Sequence, residues 1–236
     1  MSISTEKIES LLPILEKANV DFYGKVKILL SKMTKTEQLQ FLQSQQMEQM
    51  LYDLGVSEYM KRYDSTLASQ IATTLKGYSK FIAKDRAKIV VNNANLLKNS
   101  KILTAKGIVD SSIKTMKSSL LESVIFGTPF NETVKKLESI PLTTAQLKTF
   151  VNTAYADINR DTTAIAFAGD KETRFSYEGG LIPTSSDICT WLIENQKPEG
   201  YLMDEIIAGI KTPDGIIDWN GRIPNFNCIH FWSLIT

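Results

Sequence analysis

The sequence lacks any long run of apolar residues, and it contains few cysteines. No apolar run approaches the ~20 residues that a helix needs to cross a bilayer, and the opening residues 1–6 lack the basic and apolar regions of a signal peptide. The two cysteines, Cys189 and Cys228, are too few for a disulfide scaffold. These absences predict a protein without a membrane segment that is made and folded in a reducing cytoplasm.

Side chains suited to catalysis are also scarce. His230 is the single histidine of the chain, so a Ser-His-Asp or Cys-His site must include it or not exist. A nucleophilic pair of Cys189 and His230 is conceivable. No Walker A loop, dinucleotide-binding glycine fingerprint or zincin motif is present. We therefore expect no catalytic residue, no cofactor and no enzymatic activity.

The net charge of +1 hides an uneven distribution. Residues 76–117 contain ten basic and two acidic side chains, whereas residues 171–236 contain five basic and nine acidic ones. The basic stretch predicts an interaction surface that includes Lys76, Lys80, Lys84, Arg86 and Lys88. Because no aromatic side chains are interleaved for base stacking, any contact with double-stranded DNA would be to phosphate and without sequence preference. The alternative is an ordinary solvated helix face, which is more common.

Residues 1–168 show the apolar spacing of one helix after another. Pro13 should begin or kink the first helix. Thr34 and Glu37 form a capping box that opens the second, and Gly55 is a plausible end for it. One apolar stripe then runs from Tyr59 to Ile89, with Gly77 as a weak point. Two further stripes are Val109, Ile113, Met116, Leu120 and Val124, and Leu147, Phe150, Val151, Ala154, Ile158 and Ile165.

The pattern changes after Gly169-Asp170. A strand is predicted over 173–177, a short helix capped by Ser185 or Ser186, another short helix over 202–210, and a terminal strand over 228–235. The sequence thus predicts a mainly α fold: an elongated helical region, 1–168, followed by a small α+β C-terminal module, 171–236.

Cys189, Cys228 and His230 are the residues of the C-terminal module that invite a chemical interpretation. On a strand Cys228 and His230 share one face because side chains alternate, and the helix after Ser186 must pack on that strand, so we expect Cys189 to lie close to both. Three interpretations stay open: thiols packed without metal, a metal site completed by Asp187 or water, and a Cys189–Cys228 disulfide. We favour packing without metal.

Two segments of the module carry a family resemblance. Residues 175–189, with the Gly179-Gly180 turn and Cys189, and residues 218–232, which include Gly221, Arg222 and the ending Asn227-Cys228-Ile229-His230-Phe231-Trp232, resemble the C-terminal module of tailed-phage minor head proteins of the Mu F-like family. The resemblance covers about the last 85 residues. Two departures are Ser186 and Ile229, which stand where that family usually has arginine.

The resemblance implies a structural protein of the phage head, assembled in the host cytoplasm and present in a few copies at the portal vertex. Its implied partners are the portal and other head proteins, and its implied role is in head assembly or in DNA packaging and delivery. The helical region would be the arm that faces portal or DNA. Two alternatives stay open: a head–tail connector that forms a ring, and a Cys-His enzyme or toxin-related module.

Overall fold

The computed structural model describes residues 10–82, 84–138, 144–181, 185–213, 215–217 and 230–235. Its order of elements confirms the predicted fold class, mainly α with a small α+β part at the C-terminal end. The helices are α1 (Leu12–Leu30), α2 (Lys35–Gln43), α3 (Gln45–Leu51), α4 (Ser57–Tyr78), α5 (Lys84–Phe126), α6 (Phe130–Glu138), α7 (Thr144–Phe167), α8 (Asp187–Asn195) and α9 (Met203–Ala208). The strands are β1 (Arg174–Glu178), β2 (Tyr201–Leu202), β3 (Ile210–Thr212), β4 (Gly215–Ile217) and β5 (Phe231–Leu234).

Contacts divide the chain into two compact units. The first contains residues 1–66 and 101–151, and the second contains residues 67–100 and 152–236. The second unit therefore combines the C-terminal module with helical segments that precede it. The predicted limits of 1–168 and 171–236 follow composition and periodicity, whereas these units follow contacts, so the predicted limits stay a prediction.

Helix starts in the first unit follow the signals of the sequence. Pro13 lies in the first turn of α1, where its missing N–H costs no hydrogen bond. At α2 the predicted capping box is confirmed: the amide of Thr34 donates to the Glu37 carboxylate at 2.7 Å, and the amide of Glu37 donates to the Thr34 hydroxyl. The buried side chains of this unit include Leu15, Phe22, Val26, Leu42, Met47, Leu51, Tyr59, Tyr63, Val109, Ile113, Met116 and Leu120.

Gly55 joins two helices across a kink instead of ending one. Helix α3 ends at Leu51, a wide helical turn covers Tyr52–Val56, and α4 follows at once. A Cβ atom on Gly55 would lie 2.9 Å from the Cβ of Ala18 and 3.2 Å from the carbonyl oxygen of Ile14. The kink therefore depends on close packing against α1.

The predicted apolar stripe from Tyr59 to Ile89 was wrong at its far end. Helix α4 ends at Tyr78, next to the predicted weak point at Gly77, and α5 begins at Lys84. The break resets the helical phase, so Ile89 is 59% exposed while its neighbour Val90 is fully buried. Beyond the break, α5 runs for 43 residues and ends at Phe126, and Gly127 follows it with φ +69°.

The second unit has its core between helices and a three-stranded antiparallel sheet of order β2-β1-β5. Phe175 pairs with Leu234 and Tyr177 with Trp232, so the two buried residues of β1 lie on one face of the sheet. The strand predicted over 173–177 is observed as Arg174–Glu178, and of the two predicted caps, Ser185 or Ser186, the structure uses Ser186. The hairpin of β3 and β4 was not predicted. The predicted start of the terminal strand, residues 228–229, lies outside the described residues.

Substitution of Gly55 by alanine tests the packing of the kink. We expect Gly55→Ala to lower the free energy of unfolding of the first unit by about 1–3 kcal/mol, because the added methyl group overpacks the contact with Ala18. Gly24→Ala is the matched control: a Cβ there meets nothing within 4 Å, and the change removes a helical glycine. Urea denaturation followed by far-UV circular dichroism compares the two. Equal stability of both variants would contradict the packing argument.

Candidate functional site

The candidate site is a cluster of buried side chains around Tyr177. The His230 ring stacks on the Tyr177 ring with centroids 5.4 Å apart and an angle of 15°, and the Trp232 ring lies at 4.9 Å. On the other side the Tyr177 hydroxyl is 3.6 Å from Cys189 Sγ, and the hydroxyl of Ser186 donates to that sulfur at 3.2 Å. Cys189 and His230 therefore both contact Tyr177, and their expected closeness to each other stays a prediction.

The third residue of the predicted cluster, Cys228, lies outside the described residues, so the expected proximity of Cys189 and Cys228 stays a prediction. The same holds for the disulfide and for a metal site that needs Cys228. Within the described part of the chain, no group of three His, Cys, Asp or Glu side chains is placed to hold a metal ion.

Burial governs what these groups can do chemically. Cys189 is 2% exposed, His230 3% and Tyr177 1%. A nucleophilic thiol must meet its substrate and an activating base, whereas Cys189 contacts the phenol of Tyr177 and the hydroxyl of Ser186 inside a packed core. This geometry suits packing of an apolar core more than attack on a substrate.

Gly179, which follows β1, lets the histidine approach the chain closely. Gly179 has φ +146°, and a Cβ there would lie 2.4 Å from Cδ2 of His230. At Gly180 a Cβ would meet nothing within 4 Å. The turn thus has a packing role at its first glycine, which the turn signal in the sequence did not reveal.

Side chains complete the hydrogen bonding of the strands. Ile235 N–H donates to Arg174 O, so these two residues form a hydrogen-bonded pair between β1 and β5. Hydrogen-bonded and non-hydrogen-bonded pairs alternate along an antiparallel ladder. The backbone N–H and C=O of Tyr177 therefore point away from β5, and those of Trp232 point away from β1. The side-chain amide of Gln196 satisfies the backbone of Tyr177: it accepts a hydrogen bond from the Tyr177 N–H at 2.7 Å and donates one to the Tyr177 carbonyl at 3.2 Å. The Tyr78 hydroxyl donates to the carbonyl of Trp232 at 3.5 Å.

Arg160 is the polar residue that sequence reasoning missed. Its guanidinium, with 4% of the side chain exposed, donates to the carbonyl of His230 at 3.2 Å and pairs with Asp157 at 2.5 Å. Arg160 occupies a core-facing position of α7, in helical register with the buried Ala156, Thr163 and Phe167. The sequence did contain a signal for this role. An arginine at a core-facing helical position predicts a hydrogen-bonded ion pair, because a buried charge needs partners.

The predicted interaction residues lie in the second unit. The side chains of Lys76, Lys80, Lys84 and Lys88 are exposed, and within the described part of the chain none of the four ammonium groups has an ion-pair or hydrogen-bond partner. Arg86 is half-buried and donates to the carbonyl of Ala168, at the end of α7. Arg86 therefore already has a role in the fold.

The later lysines of the basic stretch belong to the first unit, and one of them is neutralised there. Lys117 contacts Glu48 at 2.9 Å and the carbonyl of Ser44. Lys106 lies 3.6 Å from Asp110, and more than half of its side chain stays exposed. The ten basic residues that are close in sequence thus divide between two units, and the uncompensated charge is smaller than their number indicates.

The carboxylates of Asp170 and Asp204 accept hydrogen bonds from backbone amides of the turn after α7. Burial raises the pKa of Asp170, but the amides of Thr173 and Glu172, the Thr173 hydroxyl and Arg86 more than offset this, so its pKa is lowered. The hydrogen bond from Lys171 and then that from the Gly169 amide lower the pKa of Asp204. Both carboxylates are ionised at neutral pH, and these bonds are lost as the pH falls below about 4 through the lowered pKa values.

Removal of the Arg160 guanidinium tests whether its contacts with the His230 carbonyl and Asp157 stabilise the C-terminal module. We expect Arg160→Met to lower the free energy of unfolding of the C-terminal module by about 3 kcal/mol, because Asp157 loses its charge partner and the His230 carbonyl loses its donor. All three tryptophans, Trp191, Trp219 and Trp232, lie in the module, so tryptophan fluorescence during urea denaturation reports on it.

Arg62→Met is the matched control. Arg62 and Glu58 form a pair of similar geometry on α4, but their side chains are 55% and 48% exposed, so the change should cost less than about 1 kcal/mol. If both variants unfold at the urea concentration of the unchanged protein, Arg160 does not hold the module together.

Comparisons with known proteins give no match to this chain: no family model, no curated protein and no solved structure is similar to it. None of the described helices is both long and apolar enough to span a membrane. The function is therefore inferred from the residues of the chain itself.

Proposed function

We propose that this chain is a structural minor head protein of a tailed phage, bound at the portal vertex. In this role it joins the portal to other head proteins and assists head assembly or the packaging and delivery of DNA. It acts in the virion, after assembly in the host cytoplasm, and it has no catalytic step.

One observation carries the proposal. Tyr177 and Cys189 come from the first segment that resembles the Mu F-like module, His230 and Trp232 come from the second, and all four pack into one core. Residues that define a structural module are expected to hold its core together. These four residues behave in this way.

The burial of the same residues favours assembly over catalysis. A Cys-His enzyme needs its thiol and imidazole to be open to a substrate. Here the Tyr177 ring stacks on His230 and the Tyr177 hydroxyl lies 3.6 Å from Cys189 Sγ, and both groups are under 4% exposed. The lysines at 76, 80, 84 and 88 are exposed and offer positive charge to a partner. Contact with DNA phosphates would be weak, independent of sequence and sensitive to salt.

The test is to locate the protein in purified phage particles. Particles produced by cells that express the chain are purified on a density gradient, and quantitative mass spectrometry measures the number of copies per DNA-filled head. We expect a few copies per particle. Absence of the chain from particles, while it is abundant in the same lysate, would contradict the proposal.

The two arginine variants sharpen this test. Arg160→Met should be incorporated in fewer copies because it destabilises the C-terminal module, whereas Arg62→Met should be incorporated as the unchanged protein is. Equal incorporation of both variants would show that the module is not the part that joins the head.

A further inference from the structure

A cleft of about 470 Å³ lies in the first unit, between the kinked helices α3 and α4 and the middle of α5. It is distinct from the buried cluster of the C-terminal module. Its lining residues are Glu48, Gln49, Tyr52, Ser57, Lys106, Asp110, Ile113 and Lys114.

The wide turn at Tyr52–Val56 builds one wall of this cleft. Residues five apart in a regular α-helix point about 140° away from each other, so Tyr52 and Ser57 would not face one cleft. In the wide turn the amide of Ser57 donates to the carbonyl of Tyr52, a bond that spans five residues. This turn brings both side chains to the same wall, and the close approach of Gly55 to Ala18 anchors it.

The acidic groups of the cleft already have partners within the chain. The Tyr52 hydroxyl donates to Asp110 at 2.6 Å, and Lys106 lies 3.6 Å from the same carboxylate. Burial, followed by the hydrogen bond and charge of Asp110, raises the pKa of Tyr52 to about 12, so the phenol keeps its proton. Glu48 is paired with Lys117 at 2.9 Å.

The basic groups are less satisfied. Lys114 is exposed and has no ion-pair or hydrogen-bond partner among the described residues. The side chain of Lys106 is 56% exposed, and its contact with Asp110 is long. The two lysines are eight residues apart on α5, which separates their backbones by about 12 Å. The ammonium groups of Lys106 and Lys114 therefore lie on either side of Asp110, whose carboxylate already accepts a hydrogen bond from Tyr52.

We propose that this cleft binds an acidic segment of a partner protein, with one carboxylate on Lys106 and a second on Lys114. A segment with two carboxylates about 12 Å apart, or eight residues apart on a helix, matches this spacing and passes over Asp110. Nucleic acid fits less well, because its phosphates follow one another closely and would meet the carboxylates of Asp110 and Glu48. The inference depends on the geometry of this unit and is independent of the assignment to a phage head.

Binding of a labelled peptide to the full chain tests the proposal. The probe is a fluorescein-labelled, alanine-rich helical peptide with two glutamates eight residues apart, measured by fluorescence anisotropy at low salt. A peptide with glutamine at both positions and a single-stranded oligonucleotide of similar length serve as comparison probes. We expect the glutamate peptide to bind most tightly.

Two charge-reversal variants locate the binding. Lys114→Glu should weaken binding of the glutamate peptide at least about threefold, since it replaces an attraction with a repulsion. Lys32→Glu, which reverses another exposed lysine of the same unit outside the cleft, should leave the dissociation constant within about twofold. Equal loss in both variants, equal binding of the glutamine peptide, tighter binding of the oligonucleotide, or no binding by the unchanged protein would each overturn the proposal.

Discussion

The structure of the C-terminal module depends on the hydrogen bond from the buried Arg160 guanidinium to the carbonyl of His230. This bond connects α7 to the chain as it enters the terminal strand, and it satisfies a carbonyl that β1 does not reach. Asp157 supplies the opposite charge that makes the guanidinium tolerable in the interior. Because His230 stacks on Tyr177, the placement of its backbone also places the ring that fills the core.

Other parts of the module follow the same principle: side chains form hydrogen bonds with backbone groups that the short strands leave unpaired. The Gln196 side chain makes the two hydrogen bonds to Tyr177 that a neighbouring strand would make, and the Tyr78 hydroxyl donates to the carbonyl of Trp232. A sheet of only three short strands leaves many backbone groups unpaired, and each would cost free energy if buried without a partner. Tyr78 lies on α4 and Arg160 on α7, so two of these contacts tie the module to helical segments of its own unit, whereas Gln196 belongs to the module itself.

Local signals made much of the fold predictable from the sequence. The capping box at Thr34, the strand that ends before Gly179 and the cap at Ser186 depend on neighbouring residues alone. The signals that failed depend on contacts between distant residues: the exposure of Ile89 follows from a break in helical phase, and the role of Gly55 follows from the approach of Ala18. The β3–β4 hairpin was missed although Pro213-Asp214-Gly215 is a turn signal. Within the site, Cys189 and His230 were predicted together, whereas Arg160 was hidden in a helical pattern.

The central claim is that Cys189 and its neighbours form a packed structural core and not a reactive site, and thiol labelling tests it most directly. The native protein is exposed to a thiol reagent, and peptide mass mapping reads Cys189 separately from Cys228. The account predicts that Cys189 is labelled only as the module unfolds, in step with the change in tryptophan fluorescence. Rapid, complete labelling of Cys189 in the folded protein would contradict it.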